Sequence, residues 1–156
     1  MAGCIDFDVA AAHRYFAAHC FNQAWDLIEK KERTPAEDQL MVALNQASIY
    51  HWQQRADCTS QNISIGYWQA SRIQVVLGNA AEAIRHARIC LSYSSSLAPF
   101  YLGYAHEALA RSYRMAGELD NALQHLALAT AMAEQVTERH DRELLVADLA
   151  TIQTMA

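Results

Sequence analysis

The sequence has few of the residues that interrupt regular backbone structure. Only 5 glycines and 2 prolines occur among its 156 residues, a scarcity that excludes β folds built from many short strands and tight turns. Alanine, leucine, glutamine and glutamate are frequent instead, and these residues favour helices. Because 53% of the residues are hydrophobic, the composition also excludes a disordered chain. We expect one helical domain over residues 1–156.

The sequence also lacks a net positive charge, and its first residues do not form a hydrophobic leader. The net charge is −5, which argues against nucleic-acid binding because replacing phosphate counterions needs a basic surface. The first residues carry acidic groups before any apolar run and do not reach the length of a signal peptide or membrane span. The four cysteines, without a CxxC pair, are expected to be reduced thiols: Cys4, Cys20, Cys58 and Cys90. We expect a cytoplasmic protein that binds neither nucleic acid nor membrane.

The common motifs of nucleotide binding, zinc proteolysis and serine hydrolysis (GxxxxGK[ST], GxGxxG, HExxH and GxSxG) are missing. His86 and Cys90 have the spacing of two metal ligands on a helix, but a small buried cysteine at a helix contact is the interpretation we adopt. His140 and Asp141 are similar to the metal-binding dipeptide of helical phosphohydrolases; we assign them to the solvated first turn of the last helix. We expect no metal and no cofactor.

Apolar residues recur at helical spacing along the whole chain. Thr34 and Glu37 are placed to form a capping box, while Gly78 and Gly117 each end a helix. The seven predicted helices span about residues 8–30, 35–55, 63–77, 80–93, 99–116, 119–136 and 138–152. The last one has an apolar face that suits a terminal helix covering the end of a repeat stack. That face consists of Leu144, Leu145, Leu149 and Ile152.

The fifth and sixth helices combine small and large residues in a pattern that lets two helices approach closely. The pattern consists of Leu109, Ala110, Tyr113, Ala122, Leu126 and Ala129. It resembles the tetratricopeptide repeat, with the best match between Gly103 and Val136. Gly78 and Gly117 lie 39 residues apart, so residues 63–93 can be laid over the same unit. This period exceeds the usual length of about 34 residues, and the first two helices match only in architecture.

The resemblance implies an all-α fold, a tetratricopeptide-like right-handed stack of antiparallel helix hairpins with a C-terminal capping helix. A compact up-down helical bundle is the alternative that uses the same hairpins.

The resemblance also implies a binding groove lined by the first helix of each hairpin. Trp68 and Arg72 fall on that face of the third helix, and Tyr104, Glu107 and Arg111 fall on that of the fifth. We expect the five to share one accessible surface, where arginine can hold a carboxylate and the aromatic rings add apolar contact. The structural alternative is that Glu107 and Arg111 pair with each other and that Trp68 is covered.

Two functions follow from these residues. The first is a non-enzymatic module that binds a protein or peptide through an acidic group of that partner, with a homodimer as one form. The alternative is a small-molecule-binding protein or enzyme, in which Glu107 acts as acid and base and His51 or His86 assists.

Overall fold

The computed structural model describes residues 7–155 and contains seven α-helices and no strand within that range. The helices are α1 (Val9–Glu29), α2 (Pro35–Gln53), α3 (Ser60–Val76), α4 (Ala80–Ser94), α5 (Pro99–Met115), α6 (Leu119–Gln135) and α7 (Arg139–Gln153). The all-α prediction of about seven helices is therefore confirmed. In the described part of the chain, none of the helices is both long enough and apolar enough to cross a membrane.

The chain forms two compact units, Met1–Cys58 and Thr59–Ala156. The first unit is the α1–α2 hairpin. In the second unit, α3–α4 and α5–α6 are successive hairpins, and α5 contacts α3, α4, α6 and α7. Helix α5 is thus the centre of the second unit. A single domain over residues 1–156 stays a prediction.

The predicted helix ends correspond to local contacts in the structure. The Thr34 side chain accepts a hydrogen bond from the Glu37 amide (3.2 Å), and the Glu37 carboxylate accepts one from the Thr34 amide (2.8 Å). Gly78 and Gly117 have φ values of +80° and +75°, in the left-handed region that glycine adopts without strain. Helix α3 starts at Ser60, earlier than predicted, because the Asn62 side chain accepts a hydrogen bond from the Thr59 amide (2.9 Å) and so caps a longer helix.

Small residues allow the helices of each unit to pack closely. In the α1–α2 hairpin, Ala17 is fully buried and its carbonyl accepts a hydrogen bond from the Ser48 hydroxyl (2.7 Å). In the second unit, α5 passes so near α7 that a Cβ atom on Gly103 would lie 2.6 Å from the Leu145 Cδ2 atom. A larger residue at position 103 would therefore force the buried Leu145 side chain out of its place.

The predicted close-packing alanines on α5 and α6 are buried. Ala122 packs in one core cluster with Ile84 and Leu109, and Ala110 and Ala129 pack in a second cluster with the buried side chains of α7. Of the predicted apolar face of α7, Leu145, Leu149 and Ile152 are buried, whereas Leu144 is 45% exposed. The inclusion of Leu144 in that face was wrong, because the helix turns it toward solvent.

We predict that Ala122→Leu lowers the free energy of unfolding by about 1–3 kcal/mol, since the added carbons would overpack a filled contact. Ala127→Leu is the matched control because Ala127 lies on the exposed side of the same helix. Thermal and urea unfolding of both variants measures the difference. Equal stability of the two variants would contradict the assigned packing.

Two histidines connect α5 to α6. The Nδ1 atoms of His106 and His125 lie 3.0 Å apart, a hydrogen bond in which one neutral ring donates to the other. The His125 ring also stacks on Tyr113, whose hydroxyl accepts a hydrogen bond from Arg88 (2.9 Å). Burial, and then the charge of His125, lower the pKa of His106. Burial, and then the charge of Arg88, lower the pKa of His125.

These pKa shifts predict a loss of stability in acid. The unfolded chain takes up protons near the ordinary histidine pKa of about 6.5, before the folded chain does, so stability falls as the pH drops below that value. Replacing both residues (His106→Gln and His125→Gln) should reduce the fall in melting temperature between pH 7 and pH 5. His140→Gln, at an exposed position, is the control. If the double variant keeps the wild-type pH dependence, as the His140→Gln control should, the two buried histidines are not the cause of the acid sensitivity.

Candidate functional site

The structure brings the five predicted site residues together around one carboxylate. Glu107 on α5 has no exposed surface. Its Oε2 atom accepts a hydrogen bond from the Trp68 indole N–H of α3 (2.9 Å). Its Oε1 atom accepts hydrogen bonds from Arg72 Nη2 (3.1 Å) and Arg111 Nε (2.7 Å). We call these residues, with Tyr104 and Asp148, the Glu107 cluster.

Helix α7 completes the Glu107 cluster. The Tyr104 hydroxyl donates to the Asp148 carboxylate (2.9 Å), which also lies 3.6 Å from Arg72 Nη2. The Arg111 Nη2 atom donates to the Asp148 carbonyl (3.0 Å) and to the Thr151 hydroxyl (2.8 Å). The helix that was predicted to cover the last hairpin therefore also supplies polar partners for the predicted site residues.

The prediction of one accessible surface was wrong for Glu107 and Arg111. Arg111 is only 6% exposed, because its guanidinium is enclosed between Glu107 and α7. The structural alternative applies to this pair: the two residues, four positions apart, bind each other. Arg72 is less enclosed, with 18% of its side chain exposed. The arginines do turn toward a common space, but the group that occupies it is Glu107.

Tyr104 acts as a hydrogen-bond donor in this cluster. Burial, and then the negative charge of Asp148, raise the pKa of its hydroxyl far above the ordinary value. The hydroxyl therefore keeps its proton and donates a hydrogen bond to the Asp148 carboxylate. Asp148 was not among the predicted site residues. Its position between Leu145 and Leu149, both on the buried face of α7, is the sequence signal that could have identified it.

A partly open pocket lies beside the Glu107 cluster, between the first helices of the two hairpins. Its volume is about 270 Å³. The lining residues are Ser64, Ile65, Trp68, Cys90, Phe100, Tyr101 and Tyr104. Sequence reasoning missed the first turn of α5, although Phe100 is four residues before Tyr104 and therefore falls on the same helix face.

The rings around the pocket are fixed by contacts with one another. Tyr104 meets both Trp68 and Phe100 edge to face, each pair with ring centroids 5.1 Å apart. The Trp68 indole N–H and the Tyr104 hydroxyl are already bonded to Glu107 and Asp148. What these two side chains offer to the pocket is apolar ring surface.

His86 and Cys90, which have the spacing of two metal ligands, make other contacts in the structure. Cys90 is 1% exposed, and burial raises the pKa of its thiol to about 11. The His86 ring stacks on Tyr67. Within residues 7–155, no three histidine, cysteine, aspartate or glutamate side chains are grouped to hold a metal. Cys20 and Cys90 are free thiols, and Cys4 lies outside the described residues.

The sequence matches no protein-family model, and neither a curated protein nor a solved structure matches it. The relationship to tetratricopeptide repeats stays a prediction, and the site is interpreted from its own geometry.

We predict that Glu107→Gln lowers the free energy of unfolding by about 3–5 kcal/mol, because it leaves a buried arginine without its counter-charge. Glu143→Gln is the control. Glu143 and Arg139 form an ion pair with the same four-residue separation on the exposed part of α7, and breaking it should cost only about 0.3–0.5 kcal/mol. Urea denaturation of both variants gives the comparison, and similar losses would show that the Glu107 charge does not stabilise the fold.

Proposed function

We propose that this chain is a non-enzymatic binding module whose aromatic pocket receives one side chain of a protein or peptide, mainly through apolar contact. The observation that carries the proposal is the pocket between α3 and α5, where the polar atoms of Trp68 and Tyr104 are already bonded within the protein. A partner gains apolar contact there without having to satisfy those polar groups.

The size of the pocket supports a side chain as its occupant. Sites for drug-sized ligands usually measure about 300–1,000 Å³, whereas this pocket measures about 270 Å³. Tryptophan and tyrosine are also enriched among residues that dominate binding energy at protein interfaces. The partner can be a different protein or a second copy of this chain.

The Glu107 cluster supports the proposal by holding the pocket in one shape. Trp68 and Tyr104 belong both to the pocket and to the cluster, so their rings are fixed before a ligand arrives. Such preorganisation reduces the entropy lost on binding. The arginines predicted to hold an acidic group of the partner hold Glu107 instead, and the proposal therefore relies on the pocket.

A tetratricopeptide-like right-handed stack is the fold that we propose for the hairpins. Its support is the side-by-side contact of α3 and α5, the first helices of consecutive hairpins. The hydrogen bond between Trp68 and Glu107, 39 residues apart, joins positions that are equivalent in that repeat. The pocket would then lie on the concave face. The acidic composition and the free thiols of Cys20 and Cys90 support a cytoplasmic location.

The enzyme alternative has less support. Both oxygens of the Glu107 carboxylate accept hydrogen bonds, from one tryptophan and two arginines, which leaves the group poorly placed to exchange protons with a substrate. A small molecule could use the same aromatic pocket, and competition between a free ligand and a bound peptide separates the two functions.

We predict that Phe100→Ala weakens peptide binding by about 1–3 kcal/mol, because it removes a ring that lines the pocket. Peptides are selected on the full chain from a random displayed library, and their affinities are measured by calorimetry. Tyr93→Ala is the matched control, since Tyr93 is an aromatic residue on α4 that stacks on Tyr67 outside the pocket.

Melting temperatures of both variants show whether the fold is kept. Selected peptides that bind the Phe100→Ala and Tyr93→Ala variants equally well would place the binding surface elsewhere. The absence of any selected peptide would refute a peptide-binding role for the pocket.

A further inference from the structure

Two of the residues that line the aromatic pocket are buried and carry a hydroxyl or a thiol group. They are Ser64 and Cys90, which are 2% and 1% exposed. The Ser64 hydroxyl lies 2.5 Å from the hydroxyl of Ser94 and 3.6 Å from the Cys90 sulfur. The Ser94 hydroxyl in turn donates to the backbone carbonyl of Cys90 (2.9 Å). The Cys90 sulfur also lies 3.9 Å from the Ser94 hydroxyl. Three side chains on two helices thus form one hydrogen-bonded group.

Which group donates in each of these hydrogen bonds follows from counting the available hydrogens. A carbonyl can only accept, so the single hydroxyl hydrogen of Ser94 is used on the Cys90 carbonyl. The hydrogen shared by the two serines must therefore come from Ser64. With its hydrogen used on Ser94, the Ser64 oxygen can only accept. The Cys90 sulfur lies 3.6 Å from the Ser64 oxygen and 3.9 Å from the Ser94 oxygen, so its thiol can donate to either of them. This thiol is protonated at neutral pH, since its pKa is raised to about 11.

The Ser64 oxygen is consequently an acceptor on a residue that lines the aromatic pocket. A hydroxyl oxygen has two lone pairs. The thiol uses at most one of them, so at least one can take a donor from a ligand. An entirely apolar ligand would leave this lone pair unused, whereas a ligand with an acceptor at its tip would face repulsion.

We infer that the pocket selects an aromatic ring that carries a hydrogen-bond donor at its tip, a phenol. This inference rests on the proposed binding function of the pocket and specifies its ligand. The size agrees, since a dry cavity of about 150 Å³ already holds benzene and the pocket measures about 270 Å³. The phenol can belong to a tyrosine of the partner or to a free molecule.

The test compares 4-methylphenol with 1,4-dimethylbenzene, in which a methyl group replaces the hydroxyl. Affinities for the full chain are measured by NMR titration. In a pocket without an acceptor, the hydrocarbon binds more tightly because the phenol loses its hydrogen bonds to water. We expect the wild-type protein to bind the phenol at least as tightly. In Ser64→Ala, the preference for the phenol should fall about three- to tenfold, as for the loss of one neutral hydrogen bond.

Ser71→Ala is the matched control. Ser71 is another buried serine of α3, with its hydroxyl bonded to the Ala83 carbonyl (2.9 Å), and it does not line the pocket. It should keep the wild-type preference. A second pair of ligands, a tyrosine peptide and its phenylalanine counterpart, identifies the source of the phenol.

The outcomes separate this inference from the proposed function. If neither ring binds at millimolar concentration, both are overturned. If both rings bind but the wild-type protein prefers the hydrocarbon, or Ser64→Ala keeps the wild-type preference, the pocket is a binding site and the role of Ser64 is refuted. If the phenol binds and the tyrosine peptide does not, the inference holds for a free phenol and the proposed peptide partner is overturned.

Discussion

The burial of the Glu107 carboxylate is the constraint on which the second unit depends. An ionised carboxylate taken out of water costs several kcal/mol unless charges and hydrogen bonds compensate it. Here the compensation comes from Trp68 and Arg72 on α3 and from Arg111 on α5. Arg111, itself buried, requires acceptors on α7. The mutual placement of three helices is therefore set by polar requirements as well as by the alanine contacts of the core.

Much of the helical framework could be predicted because its signals are local. A capping box needs only Thr34 and Glu37, and a glycine after a helix needs only the left-handed conformation seen at Gly78 and Gly117. The proximity of Trp68 and Glu107, 39 residues apart, was also predicted from the sequence, because the first helices of consecutive hairpins were expected to lie side by side. Those signals were enough to bring the five candidate residues to one place.

The sequence could not predict whether that place was open or closed. Tryptophan and arginine are the residues expected at a binding surface, and they are equally the residues that compensate a buried carboxylate. Whether Arg111 is buried depends on α7, because Asp148 and Thr151, which accept its hydrogen bonds, lie far along the chain from it. The pocket was missed for a similar reason: the relative orientations of Phe100, Tyr104 and Trp68 arise from tertiary contacts, which residue spacing alone does not contain.

The site has two layers, the Glu107 cluster and the aromatic pocket beside it. Because few residues belong to both, stability and binding can be tested separately. Arg72 and Arg111 are paired with Glu107 inside the protein, so these charged residues stabilise the fold. What remains for a partner is ring surface and one hydrogen-bond acceptor, the Ser64 oxygen. Ser64 is an acceptor because its own hydrogen is used on Ser94, whose hydrogen is used on the Cys90 carbonyl. Trp68 belongs to both layers, and a change there alters shape and stability together. Phe100 and Ser64 line the pocket without contacting the Glu107 carboxylate, and they are therefore the positions at which binding can be altered while that ion pair is kept.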